Sequence, residues 1–246
     1  MAEDILSREL RIPCFMFDCA ARLRPAAFMD IAQELAALGS ERCGFADGDL
    51  APHGLVWILA RMSVRFDRMP LRLDTVTAQT WHRGLDGPFF VRDYRLLAAD
   101  GTPAASSTSS WIIMDMRTRR IVRGDRIADL IPSDPEFDIA ALPELSPRLS
   151  APDKSSFVDA GERLVLYSDL DYNGHVNNAR YTVWALDALP LELVSSHTVR
   201  SIDVNFNREV RPGCTVKLSL CEADGYYYVE GRSEGYQNFL VRIGLF

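Results

Sequence analysis

Val64-Arg65-Phe66-Asp67-Arg68 and Val204-Asn205-Phe206-Asn207-Arg208 are two versions of one pattern, and the same displacement of 140 residues lays Thr75-Val76 over Thr215-Val216. A self-match at fixed displacement marks an internal duplication, which decides the fold before any single element is assigned. Upstream of each match lies a helical stripe. In the first half Phe28, Ile31, Ala32, Leu35 and Leu38 recur at three- and four-residue spacing, after a Pro25 suited to a first turn and before Gly39. In the second, Val176, Ala179, Val183 and Leu186 repeat the spacing, and Pro190 stops the run. The helices align at a displacement of 151, which sets Asp18 over Asp169. The difference is assigned to the Ser40 to His53 loop of the first half.

Strand-like runs follow each helix. Val56 to Phe66, Asp74 to Arg83, Phe89 to Ala98 and Pro103 to Met114 form the first set, and Val199 to Asn207, Thr215 to Cys221, Tyr226 to Arg232 and Phe239 to Phe246 the second. Short strands at Arg11 to Phe17 and Leu164 to Tyr167 precede the helices, and Asp100-Gly101 and Asp224-Gly225 mark tight hairpins. The expectation is an α+β chain made of two copies of a central helix wrapped by an antiparallel β-sheet. Pro132, Pro135, Pro143, Pro147 and Pro152 crowd a stretch that can be neither a continuous helix nor a central strand. That places a first domain at 1–130, a linker at 131–153 and a second domain at 154–246.

A net charge of −7 argues against nucleic acid or an anionic membrane as the main partner. Met1-Ala-Glu-Asp opens acidic, and no apolar run approaches the roughly 18 residues of a membrane span, so a cytoplasmic protein without stable membrane insertion is expected. Five scattered cysteines without a C-x-x-C pair suggest neither disulfides nor zinc and are read as small buried hydrophobes. None of the four histidines lies three or four residues from another, so no metal and no cofactor is expected. Serine-hydrolase elbows, phosphate-binding glycine loops and HExxH are all missing.

Chemistry concentrates in Asp171-Tyr172-Asn173-Gly174-His175-Val176-Asn177-Asn178. If the segment is an extended strand end, Asp171, Asn173 and His175 point to one face. Asn177 and Asn178 fall where the second helix begins, and free N–H groups at a helix start can hold an oxyanion. Under the 151 displacement Asp171 falls on Ala20, Asn173 on Arg22 and His175 on Arg24, while the strand displacement puts Glu209 on Met69. The first copy then keeps none of these groups, and capping alone does not explain so one-sided a distribution.

Asp-x-Asn-x-His-Val-Asn-Asn before an aromatic-rich helix resembles the catalytic stretch of the acyl-acyl-carrier-protein thioesterases of plants and bacteria. In that family a carboxylate also arrives from an Arg-Glu step, here Arg208-Glu209. The resemblance implies a tandem (double) hotdog fold, thioester hydrolysis in fatty acid biosynthesis, and catalytic roles for Asp171, Asn173, His175 and Glu209. The carboxylates would either activate water or attack directly. Phe28, Met29, Ile31, Leu35 and Trp57 of the degenerate first copy would wall an acyl slot, with Asn177 and Asn178 also facing substrate. Plant members carry a cysteine after the Glu, where Val210 stands here: either that cysteine is dispensable or the chain does not act in the same way, and the first is favoured because a carboxylate-driven mechanism needs no thiol. Acyl carrier protein is the expected partner, with Arg117, Arg119 and Arg120, in a basic run that extends to Arg123 and Arg126, as its dock. The chain would be a monomer, with its pseudo-dimer completed internally, or a homodimer. An acyl-coenzyme A thioesterase and a non-catalytic acyl-binding module are the alternatives.

Overall fold

The computed structural model describes residues 5–127, 129–131, 135 and 137–246. Pro132 of the expected linker and the acidic opening at 1–4 lie outside the described residues. The first half runs β1 (Leu6–Arg11), α1 (Pro25–Cys43), α2 (Asp47–Leu50), β2 (Leu55–Phe66), β3 (Thr75–Asp86), β4 (Phe89–Leu97), β5 (Pro103–Asp115) and β6 (Arg120–Val122). The second runs β7 (Val158–Leu164), α3 (Asn178–Asp187), α4 (Leu191–Ser196), β8 (Val199–Phe206), β9 (Thr215–Ala223), β10 (Tyr226–Ser233) and β11 (Tyr236–Leu245). All strands join one 11-stranded sheet in the order β1-β3-β4-β5-β2-β8-β11-β10-β9-β7, with β6 on β5.

The halves meet where β2 pairs antiparallel with β8, and Ser63 lies opposite Asp203. These two residues are 140 apart, the strand displacement itself, so each copy pairs with its own counterpart there and the pseudo-twofold axis passes between them. Met62, Val64, Ile202 and Val204 alternate with them toward the helices. One apolar core under α1 and α3 therefore serves both copies, and it includes Phe28, Leu35, Tyr181, Trp184 and Phe239.

Several expected boundaries move. Helix α1 continues past Gly39 to Cys43 and ends on Gly44 in the left-handed region (φ 76°), so part of the expected Ser40 to His53 loop is helical, as is α2. The first strand is Leu6–Arg11, and Cys14–Met16 is a 3-10 turn. Likewise β7 precedes the expected Leu164 to Tyr167 strand, and Tyr167–Asp169 is a 3-10 turn. Of the cysteines only Cys221 is buried; Cys14 and Cys19 are exposed, and all five are free.

The proline-rich stretch is a strap rather than a loose tether. Its backbone crosses the sheet face away from the helices: Trp81 Nε1 donates to Ile139 O (3.1 Å), Arg95 to Ala140 O (2.6 Å) and Arg83 to Leu142 O (2.9 Å). Further along, Ala141 N–H donates to Asp93 Oδ2 (2.7 Å), Ser146 Oγ to Thr108 O (2.6 Å), and Asn205 exchanges bonds with Pro147 O (2.9 Å) and Leu149 N–H (2.7 Å). Prolines keep the segment extended, and its carbonyls satisfy buried side chains that would otherwise be costly. Burial raises the Asp93 carboxyl above its ordinary range, against the Thr108 hydroxyl, the Ala141 N–H and the nearby arginines Arg83 and Arg95.

Candidate active site

The residues Asp171 to His175 form a closed turn, not an extended strand end. Asp171 N–H donates to His175 O (2.8 Å) and Gly174 N–H to Asp171 O (3.0 Å), with Gly174 in the left-handed region (φ 75°). Asp171 Oδ1 accepts the N–H groups of Asn173 (2.9 Å) and His175 (3.1 Å), so the carboxylate is the template on which the loop is folded.

The first copy contains the same turn at a displacement of 153, not 151. Asp18 N–H donates to Arg22 O (2.8 Å), Ala21 N–H to Asp18 O (3.0 Å), and Asp18 Oδ1 accepts from Ala20 and Arg22 at 2.9 Å each. The helices agree, beginning at Pro25 and Asn178. Asp171 therefore corresponds to Asp18, Asn173 to Ala20, His175 to Arg22 and Asn177 to Arg24. Retention of the acid in both copies reflects the turn. The groups particular to the second copy are Asn173, His175 and Glu209.

Glu209 arrives from the loop after β8, and its Oε1 lies 3.3 Å from His175 Nε2. Both side chains are about half exposed, at 57% for His175 and 47% for Glu209. A pair so wet adds little stability, and it is open to a ligand from solvent. In the first copy Arg22 occupies the imidazole's place and is used up structurally: it binds Asp18 (2.9 Å), His197 O (2.6 Å) and Val194 O (3.0 Å) at the end of α4.

Helix α3 starts beside the turn. Asn177 caps it through Oδ1, accepting from Ala179 N–H (2.8 Å), and Asn178 is the first helical residue. Asn178 also lines a narrow cavity of about 10 Å³, close to what one water needs, with Met29, Ala32, Gln33, Leu59, Met62, Tyr94 and Trp111. Residues of both halves thus enclose it. Of the slot residues expected from sequence, Met29 lines this cavity; Phe28, Ile31 and Leu35 belong to the shared core. Trp57 lies one ring further out, edge-on to Trp111 at 6.4 Å, and donates to Phe45 O (2.9 Å).

One neighbour escaped the sequence reading. Tyr181, buried on α3, accepts the Val210 N–H at its hydroxyl (3.4 Å). Burial, with the negative charges of Glu209 and Asp171, pushes this phenol up to about 12. Cys214, the nearest thiol in sequence to Glu209, packs partly buried against the core. Among the described residues no group of three or more His, Cys, Asp or Glu side chains is placed to hold a metal ion.

Residues 3–129 match the model of the acyl-ACP thioesterase N-terminal domain, and residues 157–241 that of its C-terminal domain. The chain belongs to the acyl-ACP thioesterase family. A cotton (Gossypium hirsutum) palmitoyl-acyl carrier protein thioesterase is 31% identical over 172 residues, 67% of this chain and 40% of the cotton protein. Oleoyl-acyl carrier protein thioesterase 2 of Arabidopsis thaliana is 29% identical over 199 residues, 73% of this chain and 53% of that protein. The chain thus spans about half the length of the curated relatives it matches, or less. An acyl-ACP thioesterase from Bacteroides thetaiotaomicron superposes with a TM-score of 0.87 over 98% of both chains at 22% identity. The 12:0-ACP thioesterase of Umbellularia californica does so at 0.86 and 21%, over 98% of this chain and 97% of that one. The α+β fold of these acyl-ACP thioesterases, a tandem hotdog, is the fold of this chain. Among the described residues no helix is long and apolar enough to cross a membrane.

Proposed function

We propose that the chain hydrolyses the thioester between a fatty acyl group and acyl carrier protein, releasing free fatty acid in fatty acid biosynthesis. The observation that carries this reading is the 3.3 Å contact of Glu209 with His175 over the Asp171 turn, at the mouth of α3 and beside the cavity behind Asn178. The family supports it, as do relatives named for palmitoyl- and oleoyl-acyl carrier protein.

Glu209 orients His175, and Asp171, its Oδ1 already fixed by two N–H donors, turns Oδ2 to the attacking water. Water gives a proton to Asp171 and its oxygen adds to the acyl carbon. The oxyanion is held by Asn173 and by the Asn178 N–H that opens α3, the next two N–H groups, of Ala179 and Arg180, being taken by Asn177 Oδ1 and O. The C–S bond then breaks, the thiolate takes a proton from the His175–Glu209 pair, and Asp171 returns one to that pair. The acyl tail enters past Asn178 between Met29, Leu59 and Met62, whose side chains must move because the slot is nearly closed. With water as the nucleophile, a single turnover in oxygen-18 water puts label into the fatty acid alone. Label in the Asp171 or Glu209 carboxylate would instead assign an anhydride.

Arg117, Arg119, Arg120, Arg123 and Arg126 are all exposed around the β5–β6 hairpin. This hairpin adjoins the site's rim, since Met116 N–H donates to Gly54 O (2.9 Å) and the nearby Asp47 carboxylate accepts from the Tyr172 hydroxyl (3.4 Å). We assign it as the dock for acidic acyl carrier protein. Measured across acyl lengths on both carriers, kcat/KM is expected to favour acyl carrier protein over coenzyme A. Arg119→Glu/Arg120→Glu should lower it about tenfold for the protein carrier only, an effect that fades with salt. An equal loss on both carriers removes the docking assignment, and preference for coenzyme A replaces the carrier.

A further inference from the structure

The duplicated fold supplies its own control for Tyr181. Its counterpart at the 153 displacement is Phe28, and the two rings are packed alike: Phe28 meets Phe66 edge-on at 5.8 Å and 77°, Tyr181 meets Phe206 at 5.6 Å and 79°. Packing is therefore satisfied without the hydroxyl. The residues at position 210 and at its counterpart 70 differ in the matching way. In the second copy the hydroxyl accepts the N–H of Val210, whereas the first copy has Pro70 at the corresponding position, with no N–H to offer. The donor and the acceptor are present together in one copy and missing together in the other.

Glu209 is the residue immediately before Val210, so the hydroxyl grips the peptide that follows the carboxylate. From the other side the buried Asn238 amide reaches Glu209 O (3.4 Å) and Arg208 O (3.5 Å), and Ser233 Oγ fixes that amide by donating to Asn238 Oδ1 (2.9 Å). The main chain of Asn238 accepts from Asn207 and Arg208 N–H as that of Ala104 does from Asp67 and Arg68 N–H, so Ala104 is its counterpart and has no amide. The loop carrying Met69 in the first copy lacks both clamps. An apolar Met tip has no need of a fixed direction, but a carboxylate that must meet an imidazole does.

We propose that Tyr181 is a positioning residue for Glu209: its hydroxyl, by accepting the Val210 N–H, fixes the peptide that follows Glu209 and so holds that carboxylate against His175. The upward shift of the phenol, to which the Glu209 charge contributes, fits a hydroxyl that keeps its proton beside an anion. This assignment rests on the hydrolase reading for its catalytic consequence, but its geometric part can be read separately.

Tyr181→Phe installs the residue the first copy already accommodates. With a melting temperature within a few degrees of the parent, kcat for acyl carrier protein thioester is expected to fall about 10- to 100-fold while KM stays within about twofold. The imidazole nitrogen signals of His175 in nitrogen-15 spectra, assigned by their loss in His175→Gln, should move toward those of Glu209→Gln. An unmoved His175 signal overturns the proposal, whether or not kcat falls, because the hydroxyl then acts by another route. If Tyr181→Phe does not fold, Val210→Pro removes the other end of the contact and should shift the same signal; no shift overturns the proposal equally. Should the parent protein hydrolyse neither carrier's thioester, the hydrolase reading fails, and the His175 signal still decides the role of Tyr181.

Discussion

Asp171→Asn is expected to lower kcat about 1,000-fold, whereas Asp18→Asn leaves it within about twofold. The two substitutions are chemically identical and made in the same turn. Each asparagine keeps an Oδ1 able to accept the two N–H groups that Asp18 and Asp171 now receive, so the turn survives in both copies. What Asp171→Asn removes is negative charge and basicity beside His175 and Glu209; what Asp18→Asn removes is a carboxylate whose neighbour Arg22 is engaged with the end of α4. Steady-state rates on an acyl carrier protein thioester decide the matter. Equal, mild losses would mean that Asp171 only shapes its loop, and water activation would pass to Glu209.

The contrast depends on a register that the sequence concealed. Strand displacement was legible because Val64, Phe66 and Arg68 recur in identity and spacing at Val204, Phe206 and Arg208, and the Ser63–Asp203 pairing realises it. The helix displacement was not, because Val183 and Leu186 of the expected stripe are only partly buried; the residues of α3 that face the core are Tyr181, Thr182, Trp184 and Ala185, which match Phe28, Met29, Ile31 and Ala32 at 153. The feature that fixes it is the turn before the helix, and there the side chains diverge. Ala21 adopts φ 59° where Gly174 adopts 75°, and nothing about an alanine announces a left-handed residue.

For the same reason the first copy looked emptier than it is, since its counterpart acid was misplaced. Tyr181 went unremarked because at the wrong displacement it does not fall on Phe28. The strap shows another limit. Among the described residues the proline-rich stretch holds no helix or central strand, as expected, but the partners that hold it, such as Asp93 and Asn205, lie far away in sequence. Nothing in the residues of the strands themselves shows that a later segment covers their outer face.

Asp203→Ala should cost about 3 kcal/mol, the largest stability loss among the changes considered. Asp203 is 1% exposed at the pseudo-twofold axis and each of its oxygens is taken: Oδ1 by Ser63 Oγ (2.6 Å) and Arg65 (2.7 Å), Oδ2 by Arg242 (3.1 and 2.8 Å). Removing it leaves the guanidinium groups of Arg65 on β2 and Arg242 on β11 facing each other across β8 with no anion between them. The arginines are 35% and 25% exposed on their side chains, so water relieves part of that penalty and keeps the figure at the lower end for a broken buried pair. Because the seam joins the two copies into one sheet over one core, urea unfolding should remain a single transition with a lower midpoint. A loss below about 1 kcal/mol would show that strand pairing and the core suffice at the seam. Replacing the whole group, as Arg65→Met/Asp203→Leu/Arg242→Met, need cost little, because apolar contacts can substitute for a complete ion cluster but not for one missing member. The difference between these two results separates what the cluster contributes to stability from what its charges demand of each other.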